Sequence, residues 1–300
     1  MLRDLDATIV KINDWLLKKI LRGKWKRSSN QRLRTWYFYK HYDYLLKKYN
    51  NATISIDKND GPIWMFWWQG IHAMPPIVRK CYDLASHHAP KAHPVVLLTE
   101  QNYDKYVNVP EYIVRKVKSG IITLTHFSDI LRMSLLYEHG GLWMDATLYS
   151  ADIIPENIFN QEFFSVRTPY EGDWVSRCLW TGFFIGGVKA HPLFGFVRQL
   201  FFDYWKDHDE LLDYFLIDLA IVMAYDNIPN IQKSIDGGVW KTDKLFIPQS
   251  NIDKFIDVNQ YNELLKEWTF FKMTYRDYFG KLIAEKQNGK YTWYGYMLSH

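Results

Sequence analysis

The chain of 300 residues is long enough to bury a substantial core, and its 48% hydrophobic and 23% charged residues are those of a globular protein. Two cysteines, Cys81 and Cys178, match no CxxC or zinc-binding spacing, which excludes a disulfide scaffold. The net charge of +4 hides an uneven distribution, +9 up to Asn50 and −5 beyond it, and aromatic residues reach 17%.

Residues 1 to about 50 read as two helical segments broken near Arg27-Ser28-Ser29-Asn30. The start, Met1 to Asp6, carries acids where a secretory leader is basic and then apolar, and no window reaches the roughly 18 apolar residues of a membrane span. The sequence therefore predicts a cytoplasmic protein. Trp15, Leu16, Leu17, Ile20 and Trp25 alternate with Lys18, Lys19, Arg22, Lys24 and Arg27. Two arrangements fit this tract: a helix lying on an anionic membrane surface at the inner face, or one packed on the main domain with a solvated basic face. No nucleic-acid-binding motif accompanies the charge, so nucleic acid is not an expected partner. The turn residues Asn59-Asp60-Gly61-Pro62 close this segment, giving a division into residues 1–58 and 59–300.

Ile63-Trp64-Met65-Phe66-Trp67-Trp68 is a continuous apolar run, the pattern of a strand buried on both faces. Pro75-Pro76 opens a helix over Ile77 to Ser86, and Pro94 to Leu98 is the next buried strand. A helix follows from Pro110 to Lys118, then a short extended piece at Ile121-Ile122-Thr123-Leu124, and a helix from Asp129 to Glu138 with Ser128 as its N-cap. Strand and helix alternate, which predicts an α/β fold with a central, mainly parallel sheet. Further strands are expected at Phe163 to Val166 and Leu179 to Gly187, joined by a polar loop from Arg167 to Arg177, before a helical region from Pro192 to about Asp226.

Within this frame, Asp129 and Arg132 share a helix face near its positive end, and Asp145 ends the strand Leu142-Trp143-Met144. In open α/β sheets ligands bind beyond the carboxyl ends of the strands, so Asp145 stands where a site is expected. Asp218 falls among apolar residues, with Tyr214, Phe215, Ile221 and Val222 as helical neighbours. Such a carboxylate is either bonded to a buried Arg, Tyr or backbone amide, or faces a ligand cleft.

Trp64 to Gly70, Ser128-Asp129-Ile130-Leu131-Arg132, Gly140-Gly141-Leu142-Trp143-Met144-Asp145-Ala146-Thr147, Asp213 to Asp218 and Phe271 to Tyr275 together resemble the capsular polysaccharide synthesis proteins. Those are related to glycosyltransferases with a DxD motif and, more remotely, to clostridial glucosylating toxins. The similarity is read from about Pro62 to Tyr278. It implies a GT-A fold, a nucleotide-sugar donor, a UDP-sugar by expectation, and a glycan or lipid-linked glycan acceptor. By position, Trp67 is implied to stack on the uracil, Asp129 and Arg132 to hold donor oxygens, and Asp145 to be the first acid of DxD. Thr147 stands where the second acid belongs. A hydroxyl is a weak ligand, so a divalent cation, Mn²⁺ or Mg²⁺, is expected to bind less tightly, or the diphosphate charge to be met partly by Lys272.

Breaking a sugar–phosphate bond develops positive charge at the anomeric carbon and negative charge on the diphosphate, which suits a carboxylate beneath the ring and cations beside the phosphates. Relatives with this motif commonly retain anomeric configuration; an inverting enzyme needs a base, for which Asp218 is the candidate. Two rivals make different demands. A non-catalytic carbohydrate-binding or scaffold protein would carry Thr147 as the mark of a lost metal site. A glycoside hydrolase would use Asp145 and Asp218 and need no nucleotide.

Overall fold

The computed structural model describes residues 5–12, 24–54, 59–169, 174–276 and 284–300, with backbone alone for 24–31. Residues 5–12 are helical, and α1 (Lys24–Tyr49) follows as one helix. It runs without interruption through Arg27-Ser28-Ser29-Asn30, where the sequence predicts a break. Tertiary contact explains its continuity: Tyr37, Phe38, Tyr42 and Leu45 recur at helical spacing and are buried in the same apolar cluster as Trp64. Most of the Trp15 to Arg27 tract, and all of its side chains, lie outside the described residues.

The central sheet has six strands: β1 (Ile63–Phe66), β2 (Val95–Leu98), β3 (Gly141–Met144), β5 (Phe163–Arg167), β6 (Phe184–Gly187) and β7 (Val239–Lys241), in the order β2-β1-β3-β6-β5-β7. All run the same way except β6, which is antiparallel to both neighbours. The sheet is thus mostly parallel, as expected, and the mixed α/β architecture is compatible with a GT-A-like fold. Successive side chains of a strand point to opposite faces, and here both faces are covered. Trp64, Trp143 and Ile185 point into one apolar cluster, with α1, α4 (Leu124–His139), α5 (Pro192–Asp207) and α6 (Leu216–Asn227). Ile63, Met65, Leu142 and Met144 point into the other, with α2 (Pro76–His88) and the pair β4 (Leu148–Ser150) and β8 (Phe270–Lys272). On the first side, α3 (Glu111–Lys118) packs against α5 through Ile113 and Val117.

The glycine pair between α4 and β3 does more than end a helix. Gly140 has φ of 70° and bonds back to Leu136, closing α4. Gly141 has φ of 98°, and a Cβ there would lie 2.2 Å from the Pro62 carbonyl oxygen. The starts of β1 and β3 touch backbone to backbone at this point. The buried Asn59 carboxamide accepts the Gly141 N–H at 2.6 Å and fixes the contact.

Three expected boundaries move. The helix α4 begins at Leu124 instead of Asp129, because Thr123 is its N-cap and accepts the His126 N–H; the Ser128 hydroxyl bonds back to Thr125. The extended piece at Ile121 to Leu124 does not form, and Asp129 lies in the second turn, away from the helix N-terminus. The strand expected from Leu179 is confined to Phe184–Gly187, since a turn occupies residues 182–183 and the Thr181 carbonyl accepts from Phe184 N–H. The helical region expected from Pro192 to about Asp226 is two helices, α5 and α6, with a break between them. Asp213 sits in the break, buried, pairing with Arg34 of α1 and accepting the Phe215 N–H at 2.7 Å. It is a structural acid that ties α1 to the break between α5 and α6. Residues 170–173 of the polar loop lie outside the described residues. Among the described residues, no helix is long and apolar enough to cross a membrane.

Candidate functional site

Four elements converge at the carboxyl ends of β1 and β3. The first strand delivers Trp67, β3 delivers Asp145, α4 passes behind with Asp129 and Arg132, and β8 brings in Lys272. The last placement follows from register: β8 runs antiparallel to β4 with Lys272 opposite Leu148, and Met273 N–H bonds the Thr147 carbonyl at 2.9 Å. The Lys272 ammonium thereby reaches both Asp145 and Thr147.

Asp145 is held from three sides. Its Oδ1 accepts from Arg132 Nη2 at 3.1 Å and from the Trp143 indole at 2.9 Å, while Oδ2 accepts from Lys272 Nζ at 3.2 Å. Lys272 also donates to the Thr147 hydroxyl. Behind this, Arg132 Nη1 donates to Asp129 at 2.8 Å, and the guanidinium lies 4.9 Å from the Trp143 ring centroid. His126 stands 3.5 Å from the other Asp129 oxygen. The result is a line of alternating charge, Asp129, Arg132, Asp145, Lys272, ending on the Thr147 hydroxyl. Burial raises the Asp145 carboxyl, but the Lys272 ammonium, the Arg132 guanidinium and the Trp143 bond outweigh it and hold the group below the ordinary carboxylate range.

In front of Asp145 opens a cleft of about 760 Å³, within the size range of small-molecule sites. Trp67, Asp145, Thr147 and Lys272 line it. Trp67 is fixed by its indole bond to the Ala73 carbonyl at 3.3 Å and by an edge-on contact with Tyr275, ring centroids 5.3 Å apart. Asp129 and Arg132, 8% and 5% exposed, stand behind the wall and hold Asp145, rather than facing the cleft. Asp218 is also set back, in the first turn of α6, accepting from the Trp180 indole at 2.9 Å. Burial pushes it up to about 6, with the Trp180 bond opposing. Asp218 thus has a bonded partner, but it is an indole and not the buried Arg, Tyr or backbone amide expected.

Tyr214, Tyr275 and Arg276 also line the cleft and were not expected as site residues, although Tyr214 and Tyr275 fall within the segments that carry the family likeness. Tyr214 lies beside Asp213 in the break between α5 and α6 and is 65% exposed, unusual for an aromatic of its size; a sequence helical in pattern across this stretch did not mark it. Tyr275 and Arg276 follow β8, and nothing in their spacing pointed to the cleft.

The donor set fits a resident divalent cation poorly. Mg²⁺ and Mn²⁺ take oxygen ligands in octahedral arrangement. Here Asp145, the one carboxylate lining the cleft among the described residues, has both oxygens engaged by cations or an indole, and the neighbouring hydroxyl faces an ammonium. Among the described residues, no group of three His, Cys, Asp or Glu is placed to hold a metal.

Residues 16–291 match the family model described as capsular polysaccharide synthesis protein. The chain belongs to that family, and membership points to a role in capsule biosynthesis. The match is wider than the Pro62 to Tyr278 span read from motifs and takes in α1, whose aromatic face is part of the core. A comparison with curated proteins gives no match.

Proposed function

We propose that this member of the capsular polysaccharide synthesis protein family is a glycosyltransferase, moving a sugar from a nucleoside-diphosphate donor to a hydroxyl of a growing surface glycan. The observation that carries this reading is the line Asp129, Arg132, Asp145, Lys272, which brings one carboxylate and one ammonium together at the wall of a cleft that also presents Trp67. The nucleobase stacks on Trp67 with Tyr275 against its edge, the diphosphate lies toward Lys272 and Arg276, and the sugar ring lies over Asp145. We take the donor to be a UDP-sugar.

In transfer, the bond from the anomeric carbon to the diphosphate oxygen breaks, with its electron pair leaving on the diphosphate. The acceptor hydroxyl oxygen forms the new bond to that carbon. Asp145 is the one carboxylate lining the cleft among the described residues, and two cations hold it ionised and engaged. This favours a retaining course, in which the departing phosphate oxygen takes the acceptor proton and no separate base is required. Asp218, tied to Trp180, then supports the wall and the acceptor does not meet it.

The acceptor is a glycan or lipid-linked glycan at the inner face of a membrane. Leu5, Ile9 and Ile12 are exposed on one side of the first helical segment, whose Ala7 and Val10 are buried. This outward apolar row, in the first 50 residues, which carry the charge of +9, supports docking on an anionic lipid surface.

The test is release of nucleoside diphosphate from a panel of UDP- and GDP-hexoses, comparing wild type with Asp145→Asn. Turnover of one donor, lost in the variant, is the expected result. Nucleotide-independent binding of polysaccharide with no turnover would replace this reading with the scaffold one.

A further inference from the structure

We propose that the Lys272 ammonium takes the place of a divalent cation at this site, so that the protein binds a nucleoside diphosphate without metal. The inference deepens the nucleotide-sugar reading and rests on it. Lys272 is not a loose surface lysine. Its backbone is locked by pairing of β8 with β4, its side chain is 19% exposed, and its head lies 4.9 Å from the Phe183 ring centroid. The head meets Asp145 Oδ2 and the Thr147 hydroxyl, the two positions that a metal held by a pair of acids would bridge.

Charge explains why lysine and threonine go together here. Asp129, Arg132, Asp145 and Lys272 sum to zero, and Arg276, with no ion pair among the described residues, adds one positive charge to the cleft. An acid at position 147 would cancel the charge that Arg276 adds and set a second carboxylate against the diphosphate, an arrangement that favours a divalent cation between them. A hydroxyl leaves the balance unchanged and accepts a bond from the ammonium. When a diphosphate arrives, Lys272 shares its donors with phosphate oxygens, while Arg132 and Trp143 keep Asp145 paired from the other side. Lysine serves as a point charge for phosphate with no ligand geometry to satisfy.

The experiment is calorimetric titration of the full chain with UDP and with GDP, each in EDTA and in Mn²⁺. The set comprises wild type, Lys272→Met, Lys272→Arg and the double variant Lys272→Met/Thr147→Asp. Wild type is expected to bind one nucleotide with affinity within about twofold in EDTA and Mn²⁺. Lys272→Met should bind at least tenfold more weakly in EDTA, Lys272→Arg should retain metal-free binding, and the double variant should bind only with Mn²⁺. Circular dichroism of each variant separates lost binding from lost fold, and Lys272→Arg keeps the test decisive should Lys272→Met unfold. Wild-type binding more than tenfold tighter in Mn²⁺ than in EDTA overturns the inference and leaves the glycosyltransferase reading standing. Absence of binding by either nucleotide in either condition overturns both.

Discussion

Arg132 and Asp145, thirteen residues apart, meet at 3.1 Å where α4 and β3 run side by side, and the same guanidinium reaches Asp129 with its other terminal nitrogen. One planar cation thus joins an acid buried in a helix to an acid at the edge of a cleft. Geometry of this kind needs the fork of arginine.

Replacing Arg132 with Met leaves Asp129 and Asp145 without their shared cation in a wall where Asp129 is 8% exposed. A cost of about 3–5 kcal/mol is expected, the range for breaking one side of a buried pair. Denaturant unfolding checks it, and Arg132→Lys should recover only part of the loss, since an ammonium cannot fork to two carboxylates. Full stability of Arg132→Lys would show that charge alone matters.

Trp67→Ala should weaken UDP binding by about 5- to 150-fold, corresponding to roughly 1–3 kcal/mol for one base stacked on one ring. The Trp67→Phe variant should keep much of the affinity. Calorimetry against UDP is the measurement, and unchanged affinity in Trp67→Ala would move the base to another wall of the cleft.

Asp218 gives a pH signature. Its carboxyl, raised by burial from 3.8 to about 6, takes up a proton in the folded state before the unfolded chain does. Folding therefore gains stability as pH falls from about 6 toward about 4, and the penalty of the buried charge is fully present above about 6. Asp218→Asn should be more stable than wild type at pH 7, on the order of 1 kcal/mol, with the difference closing toward pH 4. Thermal melts across that range decide. A variant less stable at pH 7 would mean that the Trp180 bond outweighs the cost of burial.

Gly141→Ala should cost about 3 kcal/mol or more, because its φ of 98° and the 2.2 Å approach to the Pro62 carbonyl combine strain with a clash. Soluble yield and a melt of whatever accumulates are the measures. A well-folded variant would show that β1 and β3 can separate at their starts.

Changing Leu5, Ile9 and Ile12 together to Ser should reduce sedimentation with phosphatidylglycerol vesicles at least fivefold and leave nucleotide affinity unchanged. Equal pelleting of wild type by neutral phosphatidylcholine vesicles would remove the electrostatic part of the surface reading.

The strands β1 and β3 were legible because a sheet buried on both faces needs uninterrupted apolar runs, and Ile63 to Phe66 and Leu142 to Met144 are such runs, whereas the short β4, β7 and β8 carry no such run and were not expected. Asp145 was legible for the same reason: an acid directly after such a run has to stand at its mouth. Boundaries set by a single hydroxyl were harder. Thr123 and Ser128 are both plausible caps, and only the packing of Ile122 and Phe127 into the core selects the first. The unbroken course of α1 follows from its aromatic face against α5 and α6, contacts invisible to a reading of Ser28 and Asn30. The pairing of Asp145 with Lys272 spans 127 residues. Local spacing carries no trace of it, and Lys272 entered the sequence reading only through the family likeness.

That separation bears on how the protein comes into being. A ribosome releases Asp145 long before Lys272, and β4 waits without its partner until β8 has been made. Until then the nascent chain holds the acid with only Arg132 and Trp143 beside it. The cleft is therefore finished by the final portion of the polypeptide, and a product cut short before Phe270 would keep the six-stranded sheet's sequence yet lack the residue that closes its charge.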